Sequence, residues 1–479
     1  MSKMMTDYAN RTNNIRLRRN KYQTIKAIIN IPIRCAISTT QILARKLWHH
    51  RKYIGKTLFL YLITILCLYA VRCQLPYSKL YKYCSNDAIS FAAVKEVNDQ
   101  RLLEAREYLS TLDASKTKIQ YLQNGDSNKL RYVIGVVSVA RRTDVTYKGQ
   151  LGYLTQVMSK LHKVTVDNGA TSDIFPFICN VDSNPEKHAE ALELGTFFPN
   201  VTKSYTENVS AGHPTSTSRE QEKQDYVFCL ETALKYKSDY VILIQDDAYP
   251  TESFYEVLEH LLKTKVETQI QRGERVTMVT NNERRLGWIK LNIPNSATNY
   301  HRNWFFFIQW ICLTAVIAGI SCLIFHLCKE CKPFKSVHPG LYCSSTDKRK
   351  RTGYISSSLM LLKTFVYVLL IVWIIGRPYY MKLRATSPYF YALEPGTSCC
   401  LVAVLYQPST LPGLINYLQK TTCTKQLPLD FALDRYRIEK NLKQYLVTPN
   451  LFNHIGFYSA LNKRFNRNGA EFVHMFDSS

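Results

Sequence analysis

Acidic residues are scarce in this chain: 37 Asp and Glu stand against 62 Lys and Arg in 479 residues, a formal charge of +25. An excess of that size suggests nucleic acid, but its distribution argues against such a partner. Residues 1–56 hold 13 Lys and Arg and one Asp, and residues 328–354 hold 7 with two acids, so most of the excess flanks apolar runs. Lys and Arg collect on the cytosolic side of membrane spans, which accounts for the charge without nucleic acid. Apolar character is limited as well. A mean hydropathy of -0.18 is too polar for a multi-span channel or transporter and implies a few hydrophobic segments attached to a soluble body. No small-residue cleavage site follows the first apolar run, residues 57–71, and a long basic tail precedes it. That excludes a cleaved signal peptide and leaves a signal anchor over 53–72, with Lys56 snorkelling.

Two further apolar runs follow. Residues 304–327 carry no acidic or basic residue other than His326, and residues 355–376 contain only Lys363. The basic loop 328–354 between them includes the run 348–351, Lys-Arg-Lys-Arg. This predicts a transmembrane hairpin with its loop in the cytosol, beside the cytosolic tail 1–52. Residues 73–303 and 377–479 then share the luminal side and fold as one domain. The sequons at Asn200 and Asn208 fall on that side, whereas the one at Asn10 falls in the cytosol. The luminal cysteines are Cys73, Cys84, Cys179, Cys229, Cys399, Cys400 and Cys423, an odd number whose pairing stays open. Cys328, Cys331 and Cys343, with His326 and His338, form an incomplete zinc spacing; membrane-adjacent cysteines are more often palmitoylated or free.

The luminal parts alternate between helical and strand patterns. Helices are expected over 85–123, 149–161, 185–194, 222–237, 251–264, 411–419 and 429–446. Strands are expected over 131–140, 173–181, 239–244, 275–280 and 398–406. That alternation predicts an α/β domain with a doubly wound, mostly parallel sheet. Ligands of such sheets bind beyond the carboxyl ends of the strands, where Arg141, Asp182, Asp246 and Asp247 fall.

The strongest local signal is the stretch 240–250, in which an apolar strand delivers Asp246 and Asp247 into a turn before Pro250. Hard divalent cations such as Mn²⁺ or Mg²⁺ take few carboxylates and complete their shell with phosphate and water. A nucleotide-sugar diphosphate supplies those oxygens, and the cation offsets its charge as the sugar leaves. An acidic turn capping the next helix has the same sequence. Arg141 and Arg142 could hold a diphosphate or face a uracil, or simply end the strand in solvent. Asp182 could bind the nucleoside, with the same bland alternative.

The strand ending in Gln245-Asp246-Asp247-Ala248-Tyr249-Pro250 resembles the acidic motif of glycosyltransferases with the GT-A fold. The single anchor, split luminal domain and basic-looped hairpin resemble one family in particular, the Golgi enzymes that add N-acetylgalactosamine to the glycan of glycosylphosphatidylinositol (GPI) anchors. The resemblance covers roughly residues 55–479. It departs from the family's Glu-Asp-Asp at Gln245. The resemblance implies a GT-A-like sheet, UDP-GalNAc as donor, Mn²⁺ as metal, a mannose of the GPI glycan as acceptor, and inversion at the anomeric carbon. It also implies a Golgi membrane protein with its catalytic domain in the lumen. The segment 448–456 is similar to the closing segment of several GT-A enzymes, which makes His454 a candidate at the metal or diphosphate site. Asp430, early in the helix 429–446, is the candidate general base, with Asp434 and Glu394 in reserve. A helix-start Asp is also a routine cap. The competing readings are an N-acetylglucosamine-branching transferase of N-glycans and a non-catalytic receptor or scaffold.

Overall fold

The computed structural model describes residues 59–72, 75, 78–81, 91–125, 130–141, 151–204, 218–267, 285–294, 300, 304–330, 346–396, 398–459 and 464–465. Outside the described residues lie the tail with Asn10, Arg142, Asn208, Cys73, Cys84 and the expected strand 275–280. The side chains of His326, Cys328, Cys331, His338 and Cys343 lie outside them too. The chain divides into two compact units, Met1–Val71 and Arg72–Ser479. In the first, helix α1 (Phe59–Ala70) is apolar but shorter than a bilayer crossing requires.

The second unit is a mixed α/β domain. Its helices before the apolar pair are α2 (Phe91–Ser110), α3 (Ala114–Gly125), α4 (Tyr153–Asp167), α5 (Ala189–Leu194), α6 (Ser218–Ala233) and α7 (Phe254–Leu261). The apolar pair is α8 (Trp304–Glu330) and α9 (Thr346–Ile375), followed by α10 (Arg377–Lys382), α11 (Leu411–Lys420) and α12 (Leu429–Glu439). The strands are β1 (Leu130–Ser138), β2 (Ile174–Asn180), β3 (Asn200–Thr202), β4 (Ser238–Gln245), β5 (Ala248–Pro250), β6 (Leu286–Lys290), β7 (Ala392–Pro395), β8 (Ala403–Tyr406), β9 (Lys443–Thr448) and β10 (Phe452–His454).

Eight strands form one sheet in the order β3-β2-β1-β4-β8-β6-β9-β7. Four of its seven pairings are parallel, and the antiparallel ones all involve β7 or β8. The carboxyl ends of β1, β2, β4, β6 and β9 therefore share one edge of the sheet with the amino ends of β7 and β8. β1 and β4 are buried nearly end to end, as their β-branched runs require of central strands. Gly135 lets β1 lie close to its neighbours, because a Cβ there would come within 2.7 Å of Leu243 and 2.8 Å of Phe177. A disulfide, Cys179–Cys229, ties β2 to α6, and a second joins the neighbours Cys399 and Cys400 just before β8.

Several expected elements change on folding. The helix expected over 85–123 is broken at Thr111–Asp113 into α2 and α3. The helix expected over 429–446 ends at Glu439; Asn441 takes a left-handed φ of 51°, and the chain continues as β9. β6, β7 and β9 had no counterpart among the expected strands.

The apolar helices α8 and α9 pack on each other, with Trp310 Nε1 donating to Leu369 O at 3.2 Å. Tyr300, Val368 and Val372 are buried in their contact. Among the described residues, Trp304–Ile324 alone suffices for a crossing by length and composition; the second apolar stretch qualifies only when Met360–Ile375 is taken with Arg377–Thr386 across a 92° bend. Lys363 and the polar first turns of α9 shorten its apolar stretch. The pair is fixed to the sheet at its base. Arg377, fully buried, pairs with Glu394 of β7 at 2.5 Å, and its guanidinium lies 3.9 Å from the Phe306 ring. Glu394 also accepts from Gln309 of α8 (2.8 Å), Arg384 (3.0 Å) and Thr448 of β9 (2.9 Å).

Candidate active site

The edge carrying the strand carboxyl ends gathers most of the candidate side chains. β4 runs into Asp246 and Asp247, which are 4% and 2% exposed. The chain then turns back as β5, whose antiparallel partner β10 sets His454 opposite Ala248. That pairing brings His454 Nε2 to 3.2 Å from Asp247 Oδ2, and Ile455 N donates to Asp247 O at 2.9 Å. Gly456 leaves room for the carboxylate: a methyl at that position would overlap Asp247 Oδ2.

Arg141, just beyond β1, bridges the two carboxylates. Its guanidinium donates to Asp246 Oδ1, to Asp247 Oδ2 at 2.7 Å and to Tyr458 O at 2.6 Å. It lies 4.8 Å from the Tyr153 ring, whose hydroxyl accepts from Phe457 N at 3.1 Å. The closing segment is thus fastened over the site by Arg141 and Tyr153. Asp246 has a second contact with Ser138 Oγ at 3.4 Å, and Ser138 in turn meets His188 Nε2 at 2.8 Å.

The charges divide unequally. Burial disfavours the Asp247 carboxylate, but Arg141 and then His454 outweigh it and hold the group well below the usual carboxylate range. Asp246 goes the other way: burial raises it, Arg141 offsets only part of that, and the adjacent Asp247 charge raises it again. Burial lowers His454, and the Asp247 charge more than reverses this, so His454 is raised.

Asp182 lies just beyond β2. Its carboxylate accepts from Ala140 N at 2.9 Å and Asn184 N at 2.7 Å, tying together the turns after β1 and β2. Asp430 stands in the first turn of α12 and accepts from Phe431 N at 3.0 Å and, at 3.4 Å, from Cys400 N. It therefore borders the same edge beside the amino end of β8. Asp434 is bonded to Ser398 and Arg437, and Glu394 is wholly engaged at the base of the helix pair. Asn200 turns its amide inward, donating to Ala191 O at 3.3 Å, so its sequon nitrogen faces the fold.

Whether a cation fits can be judged from the donors. Asp247 Oδ1 is buried and has no hydrogen-bond partner, which is the state of an oxygen awaiting a ligand. Arg141 and His454 both meet the other oxygen of the same carboxylate, Oδ2. Among the described residues no group of three His, Cys, Asp or Glu is arranged to hold a metal, and Arg141 bridges the two carboxylates. The open oxygen of Asp247 is the one donor left for a cation, beside the Arg141 guanidinium on the other oxygen.

A family profile described as GPI-N-acetylgalactosamine transferase PGAP4 matches residues 132–453, more than half of the chain. The chain belongs to this family. It is therefore a glycosyltransferase of the GPI-glycan class, and the receptor or scaffold reading drops out. The matched span runs from β1 to β10 and contains Arg141, Asp182, Asp246, Asp247 and Asp430; His454 lies one residue beyond it.

Pairing of Arg141 with both aspartates was not legible in the sequence, nor were Ser138, His188 and Tyr153. Ser138 and Tyr153 lie within or beside apolar stretches and look like core, and His188 sits in the polar stretch 182–190 and looks like a surface residue. The one available signal was position, since Ser138 ends β1 and Tyr153 opens α4 at the same edge.

Proposed function

We propose that the enzyme transfers N-acetylgalactosamine from UDP-GalNAc to a mannose of the GPI glycan, with inversion, in the Golgi lumen. One observation carries the proposal. The chain leaves the sheet for the α8–α9 pair after β6 and returns before β7, and both junctions lie on the edge that holds Arg141, Asp246, Asp247 and His454. If α8 and α9 cross the membrane as a hairpin, that edge faces the bilayer, and so does the glycan of a lipid-anchored acceptor. Exposed Val316, Ile320, Leu323, Leu361, Leu362 and Leu370 along the pair favour lipid as their solvent.

In this reading the donor diphosphate lies at the carboxyl edge, and Arg141 moves from bridging the aspartates to bonding phosphate oxygens. A divalent cation held by Asp246, Asp247 and His454 would supply further positive charge to the leaving diphosphate. Arg142, the next residue in the sequence, is a second candidate for the diphosphate, and Asp182 holds the turn that borders the nucleoside. Asp430 accepts the proton of the acceptor hydroxyl as that oxygen attacks the anomeric carbon from the face opposite UDP, which gives inversion. The hairpin holds site and acceptor in one plane, which raises their effective concentration.

The test uses full-length protein in detergent and in nanodiscs with a GPI acceptor. UDP-GalNAc should be the donor transferred, and chelation should reduce the rate. Transfer of a different UDP-sugar, or a rate unchanged by chelation, would remove the donor or the metal from the proposal. In sealed vesicles residues 1–52 and 328–354 should be cleaved by added protease and the segment around Asn208 protected. Glycan on Asn10 would invert the topology.

A further inference from the structure

The chain bends sharply where it leaves the apolar pair. Met360–Ile375 and Arg377–Thr386 meet at 92°, with Gly376 between them at a φ of 98° that only glycine adopts readily. A helix that crosses a bilayer and then turns through a right angle continues along the membrane plane. The composition beyond the bend suits that position. From Arg377 to Leu393 there are three basic residues, Arg377, Lys382 and Arg384, and no Asp or Glu. Large apolar side chains stay outside: Leu383 is 67% exposed, Tyr389 78% and Phe390 58%.

The segment is held rather than loose. Arg384 donates to Phe390 O at 2.7 Å and to Glu394 at 3.0 Å, and the Tyr389 ring meets His260 of α7 edge-on at 4.7 Å. A loop this well fixed does not need to expose a leucine and two aromatics to water. Aromatic rings also gather at the same end of the helix pair, where Trp310 and Trp373 lie 4.8 Å apart and Trp304, 73% exposed, opens α8. Trp and Tyr prefer the level of the lipid headgroups.

We propose that Arg377–Phe390 lies in the luminal membrane interface, with Leu383, Tyr389 and Phe390 inserted among phospholipid headgroups and upper acyl chains. The inference rests on the membrane-hairpin reading above and adds a second attachment to it. A crossing fixes where the domain is held, and a strip lying flat beside it also fixes tilt. Because the strip continues into β7 through Arg377 and Glu394, the tilt it sets is that of the sheet, and hence of the edge carrying Asp246 and Asp247.

The test places a diazirine amino acid at Leu383, Tyr389 or Phe390 of the full-length protein in phosphatidylcholine–phosphatidylserine nanodiscs, and reads lipid adducts by mass spectrometry. Leu323 of α8 serves as the hairpin control and Ile438 of α12, 64% exposed, as the soluble-surface control. Lipid adducts at 383, 389 and 390 should approach those at Leu323 and exceed those at Ile438 by about tenfold, as burial of one apolar side chain implies. Adducts at Leu323 without adducts at the three positions overturn the inference and leave the hairpin intact. Adducts to protein at those positions overturn it in favour of a protein partner. Absence of adducts at Leu323 removes the hairpin reading and the inference with it. The Leu383→Glu/Phe390→Glu variant should bind UDP-sugar normally and transfer to a bilayer-held acceptor several-fold more slowly; unchanged transfer would also overturn the inference.

Discussion

Replacing Arg377 by Met tests how the helix pair is joined to the catalytic sheet. The substitution keeps an unbranched chain in the fully buried slot beside Phe306 but removes the charge facing Glu394. Glu394, 1% exposed, would keep Gln309, Thr448 and the partly exposed Arg384. Breaking a buried ion pair by removing one partner costs about 3–5 kcal/mol. The bond that remains to Arg384 places the expected loss near the lower end, about 3 kcal/mol, or a fall in melting temperature of roughly 4–5 °C for a domain of this size. Thermal unfolding of the full-length protein in detergent, followed by intrinsic fluorescence, reads that loss. The double variant Arg377→Met/Glu394→Gln removes the stranded charge while keeping the carboxamide bonds, so it should melt above the single variant. A single variant within about 1 °C of wild type, or a double variant less stable than the single, would refute the argument that this pair is a buried electrostatic joint.

Three further outcomes are expected. Asp247→Ala should lower transfer by about 10²–10³-fold or more while the protein still melts cooperatively, since it removes the carboxylate that Arg141 and His454 both face; normal turnover would remove Asp247 from the site. Gly456→Ala should displace that carboxylate at an overpacking cost of about 1–3 kcal/mol, read as a larger drop in transfer than in melting temperature. His162 is buried beside Tyr108 and pushed down to about 4 from 6.5. The unfolded chain therefore takes up a proton that the folded one refuses, stability falls as pH drops from 6.5 towards 4, and His162→Phe should flatten that limb by about 3 kcal/mol.

Much of the sheet's first half was readable because its strands are buried on both faces. Runs such as 131–138 and 240–244 admit few other structures, and the rule that ligands sit beyond strand carboxyl ends then located Arg141 and the aspartate pair. The second half resisted. β6 contains a glycine and a lysine whose buried ammonium bonds to Cys399 O, and β7 carries Glu394, whose burial makes sense only beside Arg377. The letters of 429–446 suit a helix until Asn441 turns left-handed. His454 was identified through resemblance alone, because its neighbour Asp247 is distant in sequence and their meeting depends on the β5–β10 pairing. Long-range pairing of that kind leaves no local pattern.

The strand order also dictates how the protein is made. β8, which begins at Ala403, is inserted between β4, which ends at Gln245, and β6, both synthesised before the helix pair. Until β8 emerges, the apolar flank of β4 has no hydrogen-bonding neighbour on that side, and at 5–20 residues per second the wait is roughly 8–30 s. The nascent domain must spend that interval with an open strand edge, a ready template for mispairing with another chain. Chaperone occupancy on the ribosome should therefore peak between the translation of residues 245 and 403, and variants that prolong that interval should be lost to degradation before they are lost to inactivity.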